Sequence, residues 1–227
     1  MPAHAPSLAL SLNHRLDALG VALPEGIAEK VQAYLALLQK WNQTYNLTAI
    51  RDPEQMLTHH VLDALAIVPA LDRVLAGRPT PQILDVGSGG GIPGLMLALA
   101  RPSWQVTMVD AVQKKMAFVA QVIAELRVSN ALALAARVES LQAGARVPPM
   151  RYDLAVSRAF SDLAAFVAGS RHLLAPHGVW AAMKGAVPET EIAALPTDIA
   201  VRAVEVLAVP GLDARRHLIL LEHAHGQ

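Results

Sequence analysis

The sequence lacks cysteine, and neither sign of charge is in excess. The absence of cysteine among 227 residues excludes disulfides, thiolate metal sites and cysteine nucleophiles. Lysines and arginines number 19, and so do aspartates and glutamates, so the formal net charge is zero. Because proteins that bind phosphates usually carry a basic excess, this balance counts against nucleic-acid binding. A protein with balanced charge could still bind nucleic acid if its cations were concentrated locally, or if its partner were an already assembled ribonucleoprotein.

Long apolar runs are also missing. No apolar stretch reaches the roughly 18 uninterrupted residues of a membrane span, and no basic segment precedes an apolar block near the N-terminus. We therefore expect a cytoplasmic protein without a membrane partner. Hydrophobic residues make up 53% of the chain and charged residues 17%, which suffices for a large core. The length fits one domain, or one domain with an appendage.

Helical spacing dominates the first 80 residues. Apolar residues recur at helical intervals over residues 8–19 and 27–41. Pro53 suits the start of a further helix that runs through Val68. We predict an N-terminal helical cap over residues 1–80.

Strand and helix patterns alternate from residue 81 onward, which predicts an α/β domain over residues 81–227. Such alternation favours a Rossmann-like, mostly parallel sheet with helices on both faces. The last two strands are joined by a short connection through Pro210 and Gly211, which predicts an antiparallel C-terminal hairpin at the sheet edge. A loop-like insertion is expected at 144–149. The seven predicted strands are 82–87, 105–110, 131–136, 152–157, 178–184, 200–209 and 216–222.

A glycine-rich turn follows the first predicted strand. Residues 83–94 read Ile-Leu-Asp-Val-Gly-Ser-Gly-Gly-Gly-Ile-Pro-Gly, and a helix is expected from Ile92 with Pro93 in its first turn. Glycine permits positive φ and lets a ligand approach the backbone, and the N–H groups of a helix start favour electron-rich ligand groups. Asp110 ends the next strand about 20 residues later, where a carboxylate would hold ribose hydroxyls. This order of elements predicts a nucleoside-binding site.

Two cofactors, NAD and S-adenosylmethionine, compete for this loop. Gly87, Gly89 and Gly91 fit the NAD fingerprint only loosely, because its third glycine should stand at Ile92. Asp85 precedes the loop by two residues, and a carboxylate there suits a sulfonium with an amino group and would repel a pyrophosphate. The predicted end hairpin also favours the layout of class I S-adenosylmethionine-dependent methyltransferases. An NAD-dependent oxidoreductase is the alternative.

Three further strand ends carry candidate site residues, because ligands of such sheets bind beyond the carboxyl ends of the strands. Val138 and Glu139 follow the third strand, where the adenine is expected. Arg158 ends the fourth strand beside the expected methyl group, and Lys184 ends the fifth, so either could contact substrate phosphate. The Asn/Asp-Pro-Pro-aromatic motif of enzymes that methylate exocyclic amines does not occur at Arg158. The missing cysteine likewise excludes attack on a pyrimidine carbon by a thiolate.

Several polar residues have no assigned role at this point. Adjacent histidines on a helix point about 100° apart and form a poor chelate, so we expect His59 and His60 to bind no metal. A capping or substrate-facing role is favoured for them and for Asp63. The sequence also leaves open the roles of four basic residues, Lys114, Lys115, Arg215 and Arg216.

Five segments together resemble a known family. They are Trp-Asn-Gln-Thr-Tyr-Asn-Leu-Thr at 41–48, His-His-Val-Leu-Asp at 59–63, the glycine loop at 85–94, Ser-Arg-Ala-Phe at 157–160 and Met-Lys-Gly at 183–185. Over roughly residues 30–222 the chain resembles the bacterial ribosomal small-subunit methyltransferase G family, also called glucose-inhibited division protein B. The resemblance implies methyl transfer from S-adenosylmethionine to N7 of one guanine in 16S ribosomal RNA.

The family pattern carries over to specific positions. Its cofactor contacts correspond to Gly87, Ile92, Val138, Glu139 and Arg158, whereas its loop often has threonine and proline at the two positions that are serine and glycine here. The expected partner is 16S ribosomal RNA or the small-subunit particle, with the enzyme acting as a monomer and without a metal. A ribosome-assembly factor that binds the cofactor without catalysis, and a small-molecule methyltransferase, are alternatives. The complete predicted set is Asp85, Gly87, Ser88, Gly89, Gly91, Ile92, Asp110, Val138, Glu139 and Arg158 for the cofactor, with Arg158 and Lys184 positioning the target nucleotide without a general base.

Overall fold

A seven-stranded sheet organises the chain in the computed structural model, which describes residues 12–142, 151–158, 160 and 162–224. The strand order is β3-β2-β1-β4-β5-β7-β6. Strands β1 to β5 pair in parallel, and β7 runs antiparallel to both β5 and β6. The predicted α/β class and the antiparallel end hairpin are therefore confirmed. The strands are β1 Gln82–Val86, β2 Gln105–Asp110, β3 Ala131–Ala135, β4 Tyr152–Arg158, β5 Leu174–Lys184, β6 Ile199–Val206 and β7 His217–His223.

The fifth and sixth strands differ from their predicted lengths. β5 begins at Leu174, four residues before the prediction, because Leu174 pairs with Tyr152 ahead of an irregularity in the register. The polar and proline residues between this first pair and the regular ladder hid the start of the strand. β6 ends at Val206, three residues before the prediction, although the N–H of Leu207 still bonds to the carbonyl of Arg216 at 2.8 Å.

Helices cover both faces of the sheet and form the cap. Residues 12–17 are helical; the start of the predicted helix 8–19 and the predicted insertion at 144–149 lie outside the described residues. No helix among the described residues is long and apolar enough to cross a bilayer. The α-helices are Ile27–Tyr45, Pro53–Met56, Asp63–Leu65, Val68–Val74, Gly94–Ala100, Gln113–Glu125, Leu163–Ser170 and Glu189–Ala193, and single 3-10 turns occupy Val138–Ser140 and Arg171–Leu173.

The helix predicted from Pro53 contains a π-helical segment, Leu57–Leu62. Asp52 caps its start by accepting a hydrogen bond from the N–H of Gln55 at 2.8 Å. The prediction placed the helix correctly but not its type, because apolar spacing does not distinguish α from π turns. π-helical turns occur frequently at functional sites.

The cap and the sheet share one hydrophobic core. Tyr34 and Leu38, on the helix Ile27–Tyr45, pack with residues of the helix Gln113–Glu125 in a single buried cluster. A line of aromatic rings crosses this contact. The ring centroid of Phe118 lies 6.2 Å from that of Tyr34 and 5.5 Å from that of Trp41, and the ring centroids of Trp41 and Tyr45 are 5.0 Å apart. The boundary proposed near residue 80 stays a prediction. A second cluster around the buried Trp180 covers the opposite face of the sheet.

Candidate functional site

The glycine loop turns over the carboxyl end of β1. Gly87, Gly89 and Gly91 have φ values of 73°, 56° and 86°, in the left-handed region that favours glycine. A Cβ at Gly87 or Gly89 would meet no atom within 4 Å, whereas one at Gly91 would approach Val119 at 3.2 Å. The first two glycines therefore leave open space on the outer face of the loop, and the third allows close packing against a helix.

The helix after the loop starts at Gly94, two residues later than predicted. The N–H groups of Gly91 and Ile92 both donate to the carbonyl of Ser88, at 2.8 and 3.0 Å, so these residues close a turn. Pro93 stands just before the helix, not inside its first turn.

Asp85 lies beneath the loop and is fully buried. Its Oδ2 accepts a hydrogen bond from the N–H of Gly94 at 2.8 Å, and only glycine fits there because a Cβ would lie 2.7 Å from Oδ2. Among the described residues, its Oδ1 has no hydrogen-bond partner. Burial raises the pKa of Asp85 to about 7. The carboxylate thus supports the loop from below, and its contact with the amino-acid end of a cofactor stays a prediction.

Asp110 connects the end of β2 to the loop. Its Oδ2 accepts from the N–H of Gly89 at 3.0 Å, and its Oδ1 accepts from the N–H of Val112 at 2.8 Å. Lys115, left unassigned by the sequence, lies 3.7 Å from this carboxylate. Each carboxylate oxygen has a second lone pair, so the residue can still accept a hydrogen bond from a ribose hydroxyl.

Three cavities lie along the carboxyl edge of the sheet among the described residues, and we call them cavities A, B and C. Cavity B, of about 230 Å³, lies between the loop and the turn after β3. Cavity A, of about 180 Å³, lies between the loop and the cap and shares Gly87 with cavity B. Cavity C, of about 410 Å³, lies between the cap and the ends of β4 and β5 and shares His60 and Arg158 with cavity A. The three spaces follow one another in the order B, A, C.

Most of the predicted residues meet at these cavities. Asp110, Val138 and Glu139 line cavity B with Gly87 and Phe160. Gly89, Ser88, Ile92 and Arg158 line cavity A, and Arg158 and Lys184 line cavity C. Asp85 and Gly91 are not among the residues that line these three cavities.

His60 connects the cap to Arg158. The Nη1 of Arg158 lies 3.3 Å from His60 Nδ1. Because a guanidinium only donates, Nδ1 is the acceptor, and Nε2 carries the hydrogen that it donates to Thr48 Oγ1 at 2.9 Å. Burial, together with the charge of Arg158, lowers the pKa of His60 to about 4, so the ring is neutral near pH 7.

Arg158 and Arg216 share the carboxylate of Asp63. Arg158 Nη1 donates to the carbonyl of His59 at 2.7 Å and lies 3.7 Å from Asp63 Oδ2. Arg216 Nε donates to Asp63 Oδ1 at 3.1 Å. Burial raises the pKa of Asp63, although both guanidinium groups act in the opposite direction.

Lys184 is already engaged at the end of β5. Its Nζ donates to both carboxylate oxygens of Glu191, at 3.0 and 2.8 Å, and to the carbonyl of Phe160 at 3.1 Å. These contacts use all three hydrogens of the ammonium. The predicted contact of Lys184 with a target phosphate therefore stays a prediction and would have to compete with Glu191.

Comparison with known proteins identifies the family. Residues 27–219 match the family described as rRNA small subunit methyltransferase G. A ribosomal RNA small subunit methyltransferase G from Burkholderia vietnamiensis is 54% identical over 202 residues, which cover 89% of this chain and 86% of the relative. The protein of the same name from Burkholderia multivorans is 54% identical over 201 residues, covering 88% and 86%. The chain belongs to this family.

Solved structures agree with the fold of this methyltransferase. A SAM-dependent methyltransferase from Aquifex aeolicus superposes with a TM-score of 0.53 at 17% identity, covering 75% of this chain and 93% of that one. TrmN from Thermus thermophilus gives a TM-score of 0.55 at 22% identity, covering 74% and 53%. The predicted family and fold are confirmed.

Sequence reasoning assigned no site role to Tyr34, Thr48 or Arg216, and for His60 it favoured only a capping or substrate-facing role. Tyr34 donates its hydroxyl to the carbonyl of Gly90 at 3.0 Å and lines cavity A. Thr48 and His60 line the same cavity, and Arg216 lines cavity C. The family motif ending at Thr48 and the pair at 59–60 indicated that these segments matter, but only the folded cap shows which atoms they face.

Proposed function

We propose that this rRNA methyltransferase transfers the methyl group of S-adenosylmethionine to N7 of one guanine in 16S ribosomal RNA. The observation that carries the proposal is the succession of cavities B, A and C in a member of this family. A nucleoside-sized space beside Asp110 leads over the glycine loop to a cation-lined space beside Arg158. The reactive end of the cofactor and the target base would then meet at Arg158.

The residues present fit S-adenosylmethionine. Asp110 offers lone pairs to the ribose, while Val138 and Glu139 line the space for the adenine. The open outer faces of Gly87 and Gly89 provide room that a Cβ would fill. The Oδ1 of Asp85 has no hydrogen-bond partner among the described residues, which leaves one carboxyl oxygen under the loop for the amino group of the cofactor. When bound, the cofactor supplies an electrophilic methyl group on a positively charged sulfur.

The chemistry needs positioning and no general base. N7 of guanine carries a lone pair and no proton. His60 is neutral and its Nδ1 already accepts from Arg158, so the side chain serves to orient the guanidinium. Alignment of reacting groups can contribute roughly 7–11 kcal/mol in total, and Arg158, held by His59 and His60, is placed to contribute to it.

The charge distribution suits a substrate embedded in a larger particle. The chain has no net charge, but Arg158 and Arg216 meet at cavity C, beside a Lys184 that is paired with Glu191. A few local cations favour a guanine presented by an assembled small-subunit particle, exposed in a loop or extruded from its stack. The enzyme would act as a monomer in the cytoplasm.

The test is methylation of 30S particles from a strain that lacks this modification. The protein is incubated with the particles and S-adenosylmethionine labelled in the methyl group, and the labelled base is mapped in the RNA. Label at a single N7-methylguanosine of 16S RNA is the expected result. Label on another atom would refute the N7 assignment, and RNA without label would favour an assembly factor that binds the cofactor without catalysis.

A further inference from the structure

We propose that cavity C binds the backbone phosphate of the target nucleotide, that Arg216 contacts this phosphate, and that Asp63 positions Arg216 together with Arg158. The inference rests on the proposed function and assigns a role to Arg216, which sequence analysis left open. It follows from the position of cavity C, from the donors at its wall and from one shared carboxylate.

The position of cavity C places its occupant beside the methyl-transfer point. His60 and Arg158 form part of both cavity A and cavity C. The volume of about 410 Å³ lies within the roughly 300–1,000 Å³ typical of small-molecule sites. A nucleotide in cavity C would therefore lie next to the loop-side cavity, with His60 and Arg158 between the two.

The guanidinium groups at the wall retain unused donors. Arg216 uses Nε on Asp63 and Nη1 on the carbonyl of Arg215, and its Nη2 has no partner among the described residues. Arg158 uses Nη1, while its Nε and Nη2 have no partner in the described part of the chain. About a quarter of each side chain is exposed, 23% for Arg216 and 25% for Arg158. Planar guanidinium donors match the oxygens of a phosphate.

The charges around cavity C favour an anion. Two guanidinium groups face one carboxylate, that of Asp63, which leaves one positive charge. Lys184 is paired with Glu191 and adds none, and the ring of His60 is neutral. The remaining positive charge is therefore held by the two arginines.

Asp63 fixes both arginines from the cap. Its side chain is only 5% exposed, and its two oxygens face residues from different strand ends, Arg158 from β4 and Arg216 from the segment before β7. Such a carboxylate restricts two long side chains and lowers the conformational cost of holding a ligand. Asp63 is thus a positioning residue, without contact to the reacting atoms.

The experiment measures equilibrium binding of the full chain to 30S particles that lack the modification. Co-sedimentation is carried out at several salt concentrations with S-adenosylhomocysteine present. We expect Arg216→Ala to weaken binding about ten- to a hundredfold, as for a lost charged hydrogen bond. The slope of log affinity against log salt should also fall by about 0.7, the value for one phosphate contact to a single strand. Arg216→Lys should restore the slope, because it keeps the charge, but not the full affinity.

Two further variants separate positioning from charge. Asp63→Asn keeps both cations, so we expect weaker binding with an unchanged salt slope. Arg202→Ala is the matched control, since Arg202 also pairs with one carboxylate, Glu222, but on the edge strand β6; its binding should equal that of the wild type. Calorimetric titration with S-adenosylmethionine establishes that each variant is folded.

The outcomes distinguish this inference from the proposed function. Wild-type affinity and slope in folded Arg216→Ala protein would overturn the phosphate contact, even if the wild type methylates N7. If Arg216→Ala reduces the salt slope but the wild-type protein transfers no label to the particles, the phosphate contact is supported and the methylation is refuted. Wild-type or tighter binding by Asp63→Asn, as the gain of local positive charge alone would give, would overturn the positioning role.

Discussion

The hydroxyl of Tyr34, on the longest helix of the described cap, donates a hydrogen bond to the carbonyl of Gly90 at 3.0 Å. This bond joins residues that are 56 positions apart and connects the cap directly to the cofactor loop. Tyr34 is fully buried, so its ring also fixes the distance between the two parts of the structure. The cap therefore contributes to the shape of the loop, and several consequences can be measured.

Removing the Tyr34 hydroxyl should weaken the fold modestly. We expect Tyr34→Phe to lower the free energy of unfolding by about 0.5–1.5 kcal/mol, the net value of one neutral hydrogen bond. Chemical denaturation measures the change. Tyr45→Phe is the matched control: Tyr45 is 41% exposed, and surface changes stay within about 0.5 kcal/mol. Equal stability of Tyr34→Phe and wild type would show that the bond contributes nothing.

Asp110 should matter for cofactor affinity. In Asp110→Ala the ribose loses its acceptor, and the N–H groups of Gly89 and Val112 lose theirs. We expect the affinity for S-adenosylmethionine to fall by roughly 1–3 kcal/mol, as for unsatisfied buried groups, when measured by calorimetric titration. Asp213→Ala, at an exposed position, serves as the control. An unchanged dissociation constant in Asp110→Ala would mean that the ribose binds elsewhere.

Asp85 should make stability depend on pH. Its folded pKa of about 7 exceeds the unfolded value of about 3.9, so the folded state binds more protons between these limits. The contribution of Asp85 is complete below pH about 4 and is lost as the pH rises towards 7, by a total on the order of 4 kcal/mol. The unfolding free energy of wild type relative to Asp85→Asn should fall over this range. Parallel profiles of the two proteins would exclude the shift.

His60 should make stability depend on pH in the opposite direction to Asp85. Its folded pKa of about 4 lies below the unfolded value of about 6.5, so the unfolded state binds the additional proton. Stability should therefore fall as the pH decreases from about 6.5 to 4, by a total on the order of 3 kcal/mol. Comparison of wild type with His60→Gln by denaturation across this range isolates the effect. If His60 is protonated in the folded protein at pH 6, the unfolding free energies of wild type and His60→Gln will change with pH at the same rate.

The sheet could be predicted from the sequence because its signals are local. Short apolar runs bounded by glycine, proline and acids placed all seven strands, and the short link at Pro210 indicated the edge hairpin. The predicted start of β5 and the predicted end of β6 were wrong by several residues. For β5 the reason is that the pairing of Leu174 with Tyr152 depends on a neighbouring strand.

The site was predictable only in part. Gly87, Asp110 and Val138 follow strands, so the topology alone brings them to one edge. Tyr34 and Arg216 belong to elements far away in the sequence, and their contacts depend on how the cap packs on the sheet. No local pattern encodes the shared carboxylate of Asp63 or the engagement of Lys184 by Glu191.

The line of aromatic rings from the cap towards the loop gives the protein an optical probe. Of the three tryptophans, Trp104 and Trp180 are buried, at 4% and 0% exposure. Trp41 alone contacts Phe118, which neighbours the Tyr34 ring that bonds to the loop. A change in intrinsic fluorescence when S-adenosylmethionine binds should therefore originate mainly at Trp41, so that binding can be followed without any attached dye.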